Sequence, residues 1–241
     1  LGHGRGAAFG DALANLLEAG GYEVEREFYI NDAGRQVRLL GQSVFARYRE
    51  ICMDKYPTET PQSSYPFPED GYRGDYIREL AEELESEYQG KFLAKNSEEA
   101  SQEITDLSYQ KMLALIKKDL EDFGVFFDTW QSEKELYERG DVEKAIEDLK
   151  SRGFIYEKDG AVWFRSTDFG DDKDRVIIKK DGGYTYFTSD IAYHRLKIER
   201  KFDELIDIWG ADHHGYIQRL QAVIQALGYP KESLRVLLVQ I

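Results

Sequence analysis

Gly2-His3-Gly4-Arg5-Gly6 opens a helical pattern, and Gly210-Ala211-Asp212-His213-His214-Gly215 follows an apolar run and leads into another. Glycines at a helix start let the backbone approach a ligand closely, and the free N–H groups with the positive dipole end favour phosphate. His3 could donate to charge developing on such a phosphate, although a flexible terminal stretch explains the same residues. In the second segment Asp212 could accept from ribose hydroxyls and the adjacent imidazoles could hold polar substrate atoms. The competing reading is an N-capping Asp followed by solvated histidines. Tyr186 and Asp190 lie four apart at an expected strand-to-helix junction. Asp190 is either an N-cap or a fixed carboxylate. A buried carboxylate needs a partner, and a guanidinium supplies bidentate geometry, with an aromatic wall for the cation to pack on.

Other clusters carry less chemistry. The histidines are His3, His194, His213 and His214, and adjacent histidines do not converge on a metal as ligands one helical turn apart do, so no protein-held metal is expected. Tyr29-Ile30-Asn31-Asp32-Ala33-Gly34-Arg35-Gln36 has a specific look but reads as a strand-turn-helix connector. The run Asp171-Asp172-Lys173-Asp174 reads as a solvated loop.

The elements that must position these residues alternate. Leu13, Leu16 and Leu17 give a helix over 4–19 closed by Gly20-Gly21, and Tyr22–Ile30 alternates as a strand. Residues 35–52 read as a helix, and four prolines between Pro57 and Pro68 make 54–74 a loop. Ile77, Leu80, Ala81, Leu84 and Tyr88 share one helical face, and Leu113, Ile116, Leu120 and Phe123 share another that ends at Gly124. Ser132 with Glu135 is a capping-box pattern, and Asp141 can cap a helix that ends near Gly153. Asp159-Gly160 joins the strands Phe154–Lys158 and Ala161–Arg165. A second strand pair, Val176–Lys179 and Tyr184–Thr188, flanks Asp181-Gly182-Gly183. Then follow a helix at 190–200, a strand Leu205–Trp209, a helix 213–227 and a strand Leu234–Ile241. Strands alternating with helices favour a doubly wound parallel sheet, with ligand at the carboxyl ends of the strands.

Composition bounds the answer. A chain of 241 residues with 41% apolar residues can bury a core, and no apolar run approaches the ~18 residues of a membrane span. The first residues carry no secretory signal. Cys52 is the single cysteine, which excludes a disulfide framework and a thiolate zinc cluster and suits a reducing cytoplasm. With 46 acidic against 32 basic residues the formal charge is −14, which by itself argues against a nucleic-acid partner.

Six strings in order change that reading. GHGRGAAFGDAL at 2–13, YINDAGRQVRLLG at 29–41, FGVFFDTWQSE at 123–133, DGAVWF at 159–164, YFTSDIAYHRLK at 186–197 and WGADHHGYIQRL at 209–220 resemble the catalytic domain of bacterial-type arginyl-tRNA synthetases, class I enzymes, over essentially the whole chain. The resemblance implies the class I Rossmann-like nucleotide-binding fold, split by a mostly helical insertion with β-hairpins. Residues 1–53 and 184–241 would be its two parts and 54–183 the connective insertion. Gly2 and His3 match the last two residues of the HIGH-type signature that binds ATP phosphates, with His3 catalytic. Gly210 and Asp212 fall where class I enzymes hold adenosine. Tyr186 and Asp190 match the pair that recognises the substrate guanidinium, and His213 falls near the amino-acid pocket.

The reaction so implied joins L-arginine and ATP, with Mg²⁺ carried on the nucleotide, into arginyl-adenylate and then transfers arginine to the 3′ end of tRNA(Arg), in the cytoplasm. The first His of the HIGH-type signature would precede Leu1, and the KMSKS-type loop would follow Ile241. Most of the tRNA-contacting surface would lie in domains outside this sequence, which would explain part of the acidic balance. Since losing one preorganised charge-stabilising group commonly costs about 2.7–4 kcal/mol, these residues alone are expected to charge tRNA little or not at all. The alternative is a synthetase-like domain that binds arginine or a partner without catalysis.

Overall fold

The computed structural model describes residues 2–56 and 65–240, with side chains from Gly4 onward, so the side chain of His3 and most of the proline-rich stretch lie outside the described residues. Packing divides the chain into two compact units, residues 1–30 with 125–241, and residues 31–124. These boundaries differ from 53/54 and 183/184. The reason is that α2 (Arg35–Lys55) packs with the helices that follow it in the chain, and the hairpins pack with the elements of the C-terminal part.

In the unit of residues 31–124, α2, α3 (Asp75–Tyr88) and α4 (Ser97–Asp122) enclose a core that includes Phe45, Tyr48, Leu84, Phe92 and Ile104. The faces of α2 and α3 follow the apolar periodicity. The face of α4 does not: Ala100, Ile104, Thr105 and Ser108 are buried, whereas Phe123 is 61% exposed. The expected Leu113-Ile116-Leu120-Phe123 stripe is therefore not the packed one. α2 crosses the first half of α4 at Gly41, where a Cβ would lie 2.5 Å from the Thr105 Cα. Asn96 caps α4 by accepting from the Glu99 N–H at 2.9 Å.

The other unit carries the α/β elements. α1 (Gly2–Ala19) precedes β1 (Glu27–Ile30), which pairs in parallel with β2 (Thr129–Ser132) in register from Glu27↔Thr129 to Ile30↔Ser132. Tyr22–Arg26 has no strand partner among the described residues, so the strand is shorter than its alternation suggests. Ser132 caps α5 (Glu133–Glu138), accepting from the Glu135 N–H at 3.1 Å, and α6 (Asp141–Ser151) follows. β3 (Ile155–Lys158), β4 (Ala161–Phe164) and β5 (Arg175–Ile178) form an antiparallel sheet. The β3–β4 turn is Asp159-Gly160 with φ of 54° and 76°, the left-handed pair a tight hairpin requires.

Two expectations fail around β5. Asp171 is buried rather than solvated, because it takes a two-pronged bond from Arg175, 2.7 Å to Nε and 2.6 Å to Nη2. Tyr184–Thr188 is not a strand. Only Tyr184 bridges to Ile178, and α7 (Tyr186–Glu199) starts at once. The hydroxyls of Thr185 and Thr188 donate to the Val176 and Ile177 carbonyls at 3.0 and 2.6 Å, which anchors the helix start to the end of β5.

The chain closes with a β-α-β crossover. β6 (Leu205–Gly210) leads through a 3-10 turn over Ala211–Tyr216 into α8 (Ile217–Ala226), and β7 (Leu234–Val239) pairs with β6 in parallel from Leu205↔Leu234 to Gly210↔Val239. α1 packs on β6, where a Cβ at Gly10 would lie 2.9 Å from Ile208 Cδ1.

Candidate active site

α7 places its functional side chains on one face by helical spacing: Tyr186, Ser189, Asp190 and Tyr193, with His194 and Lys197 beside them. Asp190 is the fifth residue of α7, so it is not an N-cap. The cap position belongs to Thr185. Burial pushes the Asp190 carboxyl above the ordinary range, although the Tyr216 hydroxyl donates to its Oδ2 and opposes the shift. Among the described residues no donor reaches Oδ1. Tyr186, one turn earlier, is 64% exposed.

A second carboxylate lies in the same neighbourhood. Glu133, the first residue of α5, is buried and accepts from the Ser189 hydroxyl at 2.8 Å. The charges of Glu133 and Asp190 both act on the phenols of Tyr29 and Tyr137, and together with burial they hold those phenols neutral. Tyr216 is itself held edge-on between Phe187, at 5.9 Å, and Trp209, at 6.1 Å, with the Arg219 guanidinium 5.1 Å from its ring.

Behind this face lies a charged network. His194 Nδ1 is 2.8 Å from the Asp190 main-chain oxygen, which can only accept, so Nδ1 carries a proton; Nε2 is 2.9 Å from Asp207 Oδ2. Lys197 donates to the other Asp207 oxygen. Burial alone would raise the Asp207 pKa, but Lys197 and His194 outweigh it and hold the carboxylate ionised. α7 is thus tied to the β6 strand that leads into the Gly210 turn.

That turn is open. Asp212 and His213 are exposed and contact each other, His213 Nδ1 lying 3.0 Å from Asp212 Oδ1. Asp212 caps no helix, since the chain over 211–216 is a 3-10 turn and α8 begins only at Ile217. A Cβ at Gly210 would meet the Asp212 carboxylate at 2.5 Å, whereas nothing lies within 4 Å of a Cβ at Gly4 or Gly6. Close backbone approach by a phosphate or sugar is therefore open at Gly4 and Gly6, whereas at Gly210 the Asp212 carboxylate fills that space. His213 is connected to the Asp190 cluster through Trp209, 6.3 Å from its ring. No group of three or more His, Cys, Asp or Glu side chains among the described residues is arranged to hold a metal ion.

Chemically, one face of this unit gathers a half-buried carboxylate, Asp190, a buried one, Glu133, and the phenols of Tyr29, Tyr137 and Tyr216, a set suited to a planar cation. The turns at the two helix starts suit a nucleotide. The sequence profile of the tRNA synthetases class I (R) catalytic domain matches residues 1–240. The chain belongs to the class I arginyl-tRNA synthetase family. It is 51% identical to the arginine–tRNA ligase of Bacillus licheniformis and 52% identical to that of Geobacillus kaustophilus over its full length, and it spans 42% of the length of each. Its fold is similar to a crystallised arginyl-tRNA synthetase candidate from Campylobacter jejuni at 38% identity and TM-score 0.87, covering 100% of this chain and 51% of that one. Thermus thermophilus arginyl-tRNA synthetase shares the fold at 19% identity and TM-score 0.67, over 100% of this chain and 45% of its own. The class I synthetase fold read from the sequence therefore holds.

The structure brings Asp190 together with three residues that sequence reasoning left without a site role: Tyr29, Glu133 and Tyr216. Tyr29 and Glu133 are inside two of the six strings, yet Tyr29 is 161 positions from Asp190 and no spacing rule links them. Tyr216 lies in the same string as His213. Its hydroxyl, not the histidine, is what reaches Asp190.

Proposed function

We propose that this chain is the catalytic core of an arginine–tRNA ligase. The observation that carries the reading is the half-buried Asp190 carboxylate, with one oxygen taken by Tyr216 and its charge, with that of Glu133, acting on the phenols of Tyr29 and Tyr137. A guanidinium is planar, always charged and rich in N–H donors, so it satisfies such a site without bringing an acceptor into it. Tyr186 and Asp190 would hold the guanidinium, and His213 would face the amino-acid end. Gly2 and His3 would contact the ATP phosphates, and Gly210 and Asp212 the adenosine.

Activation is an in-line displacement: an arginine carboxylate oxygen bonds to the α-phosphorus of ATP and pyrophosphate leaves. A ribose hydroxyl at the 3′ end of tRNA(Arg) then attacks the carbonyl carbon, and AMP leaves. What the chain supplies is position and charge stabilisation, through Asp190 on the substrate cation, helix-start N–H groups on phosphate, and His3 as a donor. Mg²⁺ would arrive on the nucleotide phosphates. Residues 54–183 would correspond to the connective insertion between the halves 1–53 and 184–241, a family division that cuts across the compact units. No helix among the described residues is long and apolar enough to cross a membrane, and we take the cytoplasm as the working compartment.

The test is calorimetric titration of L-arginine and of Mg-ATP into the chain and into Asp190→Asn. Arginine binding should fall by at least tenfold in the variant with ATP binding retained. Equal arginine affinity in the two proteins would remove Asp190 from the pocket. Arginine binding without tRNA charging by the complete protein would instead favour the non-catalytic binding domain.

A further inference from the structure

The phenolic oxygen of Tyr29 is buried and has no hydrogen-bond partner. Buried polar atoms are almost always paired, so an orphan asks for an account. Tyr29 is the third residue of β1, opposite Gln131 of β2, and its ring lies against Tyr193 of α7 at 4.6 Å. These contacts fix the ring, and the charges of Glu133 and Asp190 act on its hydroxyl. Two hydroxyls of this cluster are engaged elsewhere. The Ser189 hydroxyl lies 2.8 Å from a Glu133 oxygen and 2.8 Å from the Tyr186 main-chain oxygen, and Tyr216 donates to Asp190. Burial first, and then the two carboxylate charges, keep the phenol neutral. The Ser189 hydroxyl acts on the phenol from outside hydrogen-bond reach, so the oxygen keeps a lone pair that no protein donor fully uses.

An acceptor without a donor, beside two carboxylates, is matched by a cation carrying several N–H groups in a plane. A guanidinium presents five donors in a fixed fork and can bond a carboxylate and a phenol on adjacent edges at once. A lysine ammonium is a compact, strongly hydrated point charge, and its three donors do not span that fork. We propose that Tyr29 is a specificity-determining residue of the arginine pocket, its phenolic oxygen accepting one guanidinium N–H while Asp190 accepts another, so that the site favours arginine over lysine. This rests on the arginine reading given above and extends it to a residue on a different element, in the connector string that otherwise has no chemical role.

The experiment is calorimetric titration of L-arginine, L-lysine and Mg-ATP into the complete chain, Tyr29→Phe and Asp190→Asn, with the melting temperature of each. Tyr29→Phe should weaken arginine about tenfold, the loss of one hydrogen bond to a charged group. Lysine and ATP binding should stay as they were, so arginine-over-lysine selectivity drops by the same factor. The melting temperature should not fall, because the substitution removes an orphaned buried hydroxyl. Arginine affinity unchanged in Tyr29→Phe but lost in Asp190→Asn overturns this proposal and leaves the arginine site standing. Parallel losses of arginine, lysine and ATP with a lowered melting temperature also overturn it, because they mark a structural role. Failure of the unsubstituted chain to bind arginine overturns both readings together.

Discussion

His194 Nε2 lies 2.9 Å from the Asp207 carboxylate, and through this contact α7, which carries Asp190, is tied to β6, which leads into the Gly210 turn. Asp207 also accepts from Lys197, so one buried anion faces two nitrogen groups. Replacing it by an amide leaves the lysine buried without its counter-charge.

Asp207→Asn should therefore destabilise the protein by about 3–5 kcal/mol, the usual cost of breaking a buried pair from one side. The pH dependence has a definite sign. The folded-state pKa of Asp207 lies below the ordinary value of 3.8, so its contribution is present above that value and is lost as pH falls toward the folded pKa. Urea titrations from pH 7 to pH 2 should show a shallower loss of stability on the acid side in the variant. Parallel curves would mean that Asp207 is not ionised in the native state.

Asp171 and Arg175 form the second buried ion pair, at the entrance to β5, with side chains 1% and 10% exposed. Arg175→Met keeps most of the side-chain volume and leaves Asp171 unpaired, for a cost of about 3–5 kcal/mol. The double variant with Asp171→Leu should recover most of that, since an apolar pair in such a site is often neutral or better. Thermal melts of both variants decide the point, and a double variant as unstable as the single one would mean that Asp171 serves the sheet through its other contacts.

Gly41→Ala tests the α2–α4 crossing. The added Cβ would meet not only the Thr105 hydroxyl but also the Thr105 Cβ at 2.4 Å and Cα at 2.5 Å. Overpacking of this kind costs about 1–3 kcal/mol. Because backbone is among the atoms in the way, adding Thr105→Ala should not restore stability. Full rescue by that second change would show that the helices are farther apart than described.

Local patterns carried much of the fold. Asp159-Gly160 announced its hairpin because the left-handed turn has a narrow residue preference, and the α3 face was visible because only one side of that helix is buried. The misreadings come from partners distant in sequence. The Leu113–Phe123 stripe is as periodic as the face that packs, and only the crossing at Gly41 and Thr105 selects between them. The Asp171 run is acidic like any solvated loop until Arg175 is seen to fold back on it. In the site, Tyr186 and Asp190 stood out by their spacing and by family resemblance. Tyr29, Glu133 and Tyr216 reach the same place from three other elements, and a one-dimensional pattern does not encode that meeting.

The Tyr216–Asp190 hydrogen bond gives a last prediction, on the pH dependence of ligand binding. Burial raises the Asp190 pKa and the Tyr216 bond lowers it, so Tyr216→Phe removes a restraint and the pKa rises further. Arginine requires the ionised carboxylate, so its affinity falls as acidification protonates Asp190, and in the variant that fall begins at higher pH. At pH 7 the variant should bind arginine about tenfold more weakly, from the loss of a hydrogen bond to a charged group that preorganises the anion. Mg-ATP affinity should change little, because the hydroxyl points to Asp190 rather than to the Gly210 turn. Arginine titrations at half-unit steps between pH 5 and pH 8 measure both effects. A variant with the same acid limb as the unsubstituted chain would show that Tyr216 does not tune this carboxylate, and weaker binding without a shifted limb would assign it to packing alone.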